Sequence, residues 1–210
     1  MKIHLELSSR CNLGCLECNR TLFPDSYKVR DLNWDILISI TSNPKFNFFV
    51  LSGNNGDPIF YPKLLQWLQY RNQCFPEKKI HFETAIGGKS HIWWRDFFQL
   101  LKPHDTFCAS VDGLYGVSEQ YRVNSDWNHI LWVLDHSRSY NTFVKIWKWI
   151  VFGFNEHQLL EAKQYAKALG YKFQIAKTRN PSLGNEFLIP KHKDLDYYRK
   201  FLEGNYNEKV

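Results

Sequence analysis

Residues 3–20 read Ile3-His4-Leu5-Glu6-Leu7-Ser8-Ser9-Arg10-Cys11-Asn12-Leu13-Gly14-Cys15-Leu16-Glu17-Cys18-Asn19-Arg20. A strand-like run, Ile3 to Leu7, feeds a loop in which Cys11, Cys15 and Cys18 stand in a C-x3-C-x2-C pattern. Three thiolates within eight residues can wrap only one small object. A structural zinc ion asks for four protein ligands in a closed tetrahedron, and the nearest candidate for the fourth, His4, lies inside the strand and off the usual spacing. A 4Fe-4S cube held by three cysteines keeps one iron open to an outside ligand. On the local pattern alone a partial zinc knuckle, a group of reduced thiols and a chance grouping all stay open.

Working outward from the loop, apolar spacing and punctuation predict a regular alternation. Asp31-Leu32-Asn33 caps a helix carrying Trp34, Ile36, Leu37 and Ile40, and residues 48–51 form an apolar strand ending at Ser52-Gly53-Asn54-Asn55-Gly56-Asp57-Pro58. A helix marked by Leu64, Leu65 and Leu68 follows, and then a strand over 79–86 that stops at Gly87-Gly88. Residues 92–102 read as a helix, 106–111 as a strand ending in Asp112-Gly113, and 127–136 as a helix capped by Asp126. A strand over 142–152, a helix over 156–169 stopped by Gly170, a strand over 171–176 and a last helix over 195–202 complete the series. Six strands alternating with helices imply parallel βαβ units, because parallel neighbours need a long crossover. The expected class is α/β, a partial (βα)6 TIM-like barrel with parallel strands. A core domain is expected over 1–178, with a C-terminal extension over 179–210 packing on it, and the Pro-, Gly- and Asn-rich stretch 178–190 is the one plausible joint. In such folds chemistry gathers at the carboxyl ends of the strands, where each special loop of this sequence falls.

The cysteine loop after a first N-terminal strand resembles the signature of the radical S-adenosylmethionine (radical SAM) enzymes. That resemblance implies a 4Fe-4S cluster on Cys11, Cys15 and Cys18, with S-adenosyl-L-methionine (SAM) on its open iron. Reduction of the cluster then cleaves SAM to a 5′-deoxyadenosyl radical that abstracts hydrogen. The sequence departs from the pattern at Glu17, where the family commonly carries an aromatic residue. Asn55-Gly56-Asp57-Pro58 resembles the Gly-Gly-Glu-Pro motif that binds the methionyl amino group; as a plain helix start it would make Asp57 the N-cap and Pro58 the first helical residue. Ser110-Val111-Asp112-Gly113, followed by Arg122, is similar to the strand-four segment of the peptide-modifying and cofactor-building branch. This implies Ser110 near the SAM ribose or carboxylate and Arg122 on the carboxylate, against a bland reading as a turn and a solvated arginine. Thr84 matches the family's Thr-Asn-Gly in its threonine, and Val151 is placed as an apolar contact to adenine or, equally, as core. The resemblance covers residues 1–176 and implies a low-potential electron donor, a flavodoxin or ferredoxin.

The composition bounds the rest. The chain has 210 residues, 44% of them hydrophobic and 23% charged, which suits a folded domain with a large core. No apolar run reaches the length that crosses a bilayer and the first residues are no secretory signal, so a cytoplasmic location without a membrane partner is expected. Five cysteines, three in one loop, do not make a disulfide framework, and Cys74 and Cys108 default to small buried side chains. The net charge of +6 is scattered along the chain, so nucleic acid is allowed as a partner without being indicated. No phosphate-loop, zinc-protease or serine-hydrolase motif is present, and the eight histidines show no ligand spacing. A peptide, protein side chain or small metabolite is the expected substrate. Glu6, Asn54, Glu83, Lys145 and Arg179 are candidate contacts to it. The competing reading is a zinc-stabilised nucleic-acid-binding protein without catalysis.

Overall fold

Side chains alternate along six short strands, one set against helices and the other toward an open concavity, and this alternation sets the architecture. The computed structural model describes residues 1–178 and 186–204. In chain order the elements are β1 (Lys2–Leu5), α1 (Trp34–Ser42), β2 (Phe48–Leu51), α2 (Leu64–Cys74), β3 (Lys79–Thr84) and α3 (His91–Leu100). They continue with β4 (Thr106–Ser110), α4 (Trp127–His136), β5 (Val144–Ile150), α5 (Leu159–Ala168), β6 (Lys172–Ala176) and α6 (Leu195–Leu202). The strands form one parallel six-stranded sheet in the order β1-β2-β3-β4-β5-β6. The chain is thus an α/β protein with the partial-barrel layout that the alternation predicts.

Strand β5 shows how the two faces divide. Lys145, Trp147 and Trp149 are buried on the helix side, whereas Ile146, Lys148 and Ile150 are only partly covered on the other. The helix side is an aromatic core in which Trp67, Trp94, Phe97, Phe98, Phe107, Trp147 and Trp149 are almost wholly buried. Each fully buried side chain of that kind contributes on the order of 2 kcal/mol or more through area alone.

Local chemistry fixes the helix ends. Asn33 is the residue of its predicted trio that caps α1, accepting from the Asp35 and Ile36 amides at 2.8 and 3.2 Å. Ser90 caps α3, Asp126 caps α4, and Gly170 ends the α5 turn at φ +77°, a conformation that a Cβ disfavours.

Three expectations are corrected. Strand β5 is shorter than 142–152, because the Asn155 side chain accepts from the Phe152 amide at 2.9 Å and donates to the Ile150 carbonyl at 2.9 Å, turning the chain. A 3-10 turn, Glu156–Gln158, precedes α5. Cys74 is exposed: it is the last residue of α2 and faces away from the core, while Cys108 is buried as expected.

Residues 186–204 pack on the barrel. Leu188 joins Tyr121, Phe152 and Phe154 in a small second core, and the Tyr198 hydroxyl donates to Glu156 Oε2 at 2.5 Å. Part of the predicted joint over 178–190 lies outside the described residues. Among the described residues no helix is long and apolar enough to cross a membrane.

Candidate functional site

At the carboxyl ends of the strands lies a cavity of about 500 Å³, walled by the cysteine loop, the turn after β2 and the ends of β3, β4 and β5. The cysteine loop is anchored by backbone. Gly14–Cys15 pairs antiparallel with Arg122–Val123, setting Cys15 opposite Arg122, and the Leu16 amide donates to the Tyr121 carbonyl at 3.1 Å. The Leu13 amide donates to Cys11 Sγ at 3.4 Å and the Arg20 guanidinium donates to the Leu13 carbonyl. Cys11, Cys15 and Cys18 are each half-buried and all line the cavity. Burial pushes the Cys11 thiol up to about 11, with Asp57 adding to it and the Leu13 amide and Arg20 opposing. Burial also raises Cys15, and Arg122 opposes it.

The chemistry of the donor set tests what the loop fits. A closed zinc site asks for four protein ligands. No histidine is among the described residues that line the cavity, and the carboxylates of Glu17, Asp57 and Glu83 are already bonded to Thr178, Thr84 and Lys148. Three cysteines with Arg20 and Arg122 beside them suit an anionic group that leaves one position to an outside ligand.

The turn after β2 is held from below. Glu6 Oε1 accepts from the Asn55 and Gly56 amides at 2.9 and 3.1 Å. A Cβ on Gly56 would stand 2.0 Å from the Ser8 carbonyl oxygen, so the approach of this turn to the cysteine loop requires glycine. Asp57 does what the plain helix-start reading asks: Oδ1 accepts from the Ile59 amide at 3.2 Å, with Pro58 opening a 3-10 turn. Its Oδ2 also accepts from Thr84 Oγ1 at 2.8 Å and the Ala85 amide at 2.9 Å, tying the turn to β3. Burial pushes the Asp57 carboxyl up to about 6 against those donors.

Deeper in, the Lys148 ammonium and the Ser110 hydroxyl both donate to Glu83 Oε1, at 2.6 and 2.8 Å. Burial pushes the Glu83 carboxyl up, but His81 at 3.9 Å, Lys148 and Ser110 more than offset it and hold it at about 2. Arg122 is not the solvated side chain of the bland reading. It is buried, and its Nε and Nη2 donate to Asp112 Oδ2 at 2.9 and 2.6 Å. Asp112 in turn accepts from the Ile150 amide at 2.6 Å.

Of the residues singled out in sequence, Asn55, Gly56, Asp57, Thr84, Ser110 and Arg122 line the cavity with the cysteines, as do Asn54 and Glu83. Pro58 and Asp112 stand behind it as supports. Val151 is packed in the main core, and its neighbour Ile150 lines the cavity instead. Lys145 is on the helix side, where strand alternation puts it, and Lys148 is the lysine of β5 that reaches the site. Arg179 lies outside the described residues. Sequence reasoning missed Lys148, Ile150 and Tyr121; the period-two pattern of β5 carried the signal for the first two. Glu17, at the position where an aromatic residue was expected, is buried and accepts from Thr178 Oγ1 at 2.6 Å, linking the cysteine loop to the chain after β6.

No protein-family model matches the sequence, and no curated protein sequence matches it either. Solved structures do. SuiB of Streptococcus suis, in a structure bound to S-adenosylmethionine, superposes on 97% of this chain with a TM-score of 0.74 at 13% identity. The fold is that of the radical SAM enzymes. Native anSMEcpe with bound AdoMet (SAM) shares this radical SAM fold over 97% of the chain, with a TM-score of 0.71 and 19% identity. TYW1 with a lysine-pyruvate adduct bound shares it over 99%, with a TM-score of 0.69 and 14% identity. The chain spans 46% of SuiB, 62% of anSMEcpe and 74% of TYW1. SuiB is also known bound to the precursor peptide SuiA, and anSMEcpe with the Cp18Cys and Kp18Cys peptides.

Proposed function

We propose that the protein is a radical SAM enzyme acting on a peptide or protein side chain. The observation that carries the reading is the convergence, on one cavity at the strand carboxyl ends, of the three-cysteine loop with the turn after β2 and with Ser110. Cys11, Cys15 and Cys18 would hold a 4Fe-4S cluster. Bound there together with SAM, and given an electron by a low-potential flavodoxin or ferredoxin, the cluster would supply the reductive cleavage of SAM and with it hydrogen abstraction from the substrate.

The chain's own residues then bind, orient and exclude water. Asp57 and Glu83 bring two carboxylates to the cavity, which suits a ligand carrying an amine and a sulfonium. Asp57 is braced by Thr84 and the Ala85 amide, and Glu6 fixes the Asn55-Gly56 amides. Ser110 offers a hydroxyl beside Glu83 for a ribose or carboxylate, and Ile150 and Tyr121 supply apolar wall for a purine. The peptide preference rests on what SuiB and anSMEcpe bind.

Anaerobic reconstitution with iron and sulfide tests the proposal. A brown protein with four irons per chain, releasing 5′-deoxyadenosine from SAM under dithionite, is the expected result. A colourless protein retaining one zinc would overturn it and leave the non-catalytic binding module.

A further inference from the structure

Arg122 faces a loop cysteine because the backbone puts it there. Cys15 and Arg122 are direct register partners in the antiparallel bridge, so the guanidinium rises beside the Cys15 side chain, and its Nη1 stands 3.9 Å from Cys15 Sγ. The other two donors, Nε and Nη2, are committed to Asp112 Oδ2. Asp112 cannot shift: its Oδ1 takes the Ile150 amide and its carbonyl takes Asn155 Nδ2 at 2.9 Å. The side chains of the pair are 10% and 0% exposed, so solvent screens the charge weakly. With Nε and Nη2 each giving an N–H to one oxygen of a buried carboxylate, the guanidinium is held in a fixed orientation. It is well placed to aim one remaining N–H at a sulfur.

We propose that Arg122 is a positioning residue that sets the reduction potential of the cluster, donating Nη1–H to the Cys15 sulfur and opposing the negative charge gained on reduction, with Asp112 fixing its aim. The inference rests on the reading that Cys15 ligates a cluster. The step concerned is the uptake of one electron, 2+ to 1+, from dithionite in the test and from the protein donor in the cell; no bond breaks and no proton moves. Hydrogen bonds to the sulfurs and nearby charge are recognised determinants of iron-sulfur potentials. A charge-assisted donor of this kind is worth roughly a tenfold change in the ratio of reduced to oxidised cluster.

The experiment is a dithionite titration of the reconstituted full chain, followed by the electron paramagnetic resonance of the reduced cluster. The wild type is compared with the neutral double replacement Arg122→Met/Asp112→Asn, with Asp112→Asn alone and with Arg122→Lys. The double replacement should shift the midpoint negative, lowering the ratio of reduced to oxidised cluster about tenfold at the wild-type midpoint. Asp112→Asn, which strips the guanidinium of its counter-charge, should shift it positive, and Arg122→Lys should fall between wild type and the double replacement. Opposite shifts from the two Asp112-containing variants are a signature that mere structural damage would not give. If the double replacement assembles no cluster, the positive shift of Asp112→Asn decides. Unmoved midpoints in the variants that assemble clusters overturn the inference, even where the wild type releases 5′-deoxyadenosine. Midpoints that move while SAM stays intact overturn the enzymatic reading and keep the inference. A wild type that assembles no cluster sinks both.

Discussion

Two buried arginine–aspartate pairs sit at opposite ends of the same sheet, and they are built differently. Arg71 and Asp105, near the amino ends of the strands, meet fork to fork at 3.1 and 2.7 Å with both side chains fully buried. Backbone adds further bonds to both side chains, although Arg71 Nε is buried without a partner. Arg71 Nη1 also donates to the Lys78 carbonyl, while Asp105 accepts from the Ile80 amide at 3.0 Å and the Lys102 amide at 2.8 Å, so the pair stitches α2, β3 and the α3–β4 loop together. Arg122 and Asp112, at the carboxyl ends, share a single carboxylate oxygen and leave one guanidinium nitrogen toward Cys15 and the cavity. The same two residue types thus close the bottom of the barrel and arm its top. This division matches barrel folds generally, in which the carboxyl-end loops carry chemistry and the other end carries stability.

The largest expected effect breaks the symmetry at the sulfur itself. Cys15→Ala should abolish both cluster colour and 5′-deoxyadenosine release, measured after anaerobic reconstitution, because two thiolates cannot retain the cube. The exposed Cys74→Ala should leave both intact. Next in size, and opposite in kind, is Asp105→Asn. Removing one partner of a buried pair strands a charge, so the fold should lose about 3–5 kcal/mol in a denaturant titration. The midpoint potential of any cluster assembled should stay at the wild-type value. An Asp105→Asn protein of unchanged stability, or one with a shifted midpoint, would erase the contrast between the two ends.

The elements were legible in the sequence because each is encoded locally. Period-two and period-3.6 patterns, Asn33 and Asp126 as caps, and Gly170 as a stop are all read within a few residues. The cysteine loop and the turn at Asn55–Pro58 were legible for the same reason. What escaped was long-range. Neither Asp105 nor Arg71 carries a local mark, since each is defined by a partner 34 positions away. Lys145 and Lys148 look alike as letters, and only the facing of β5 separates the one against helices from the one in the cavity. Cys74 beside Phe75 suggested burial, but the end of α2 leaves its thiol in solvent. Arg122 was legible as a site residue, whereas the oxygen it spends its donors on, Asp112 Oδ2, became visible only with the chain folded.

The smallest effect sharpens the contrast within the cavity, where Glu83 joins Lys148 and Ser110 without being sealed like Asp105. Its carboxyl is held at about 2 in the folded chain against an ordinary 4.5, so the folded state binds its proton less readily than the unfolded state. A group with a depressed folded value stabilises the fold above its unfolded value and loses that contribution as pH falls through the folded one. The stability difference between wild type and Glu83→Gln should therefore be full above about pH 5 and shrink steadily toward pH 2. With the Glu83 side chain 22% exposed, its plateau should be on the order of 2 kcal/mol, below what the shift alone would give. Asp105→Asn, measured alongside, should cost more than Glu83→Gln at pH 7, since neither member of its pair meets solvent. A flat difference between pH 7 and pH 3 for Glu83→Gln would mean that the Lys148 ammonium is not held on that carboxylate. The cavity floor would then be neutral packing, in place of a charged pair poised beside the Ser110 hydroxyl.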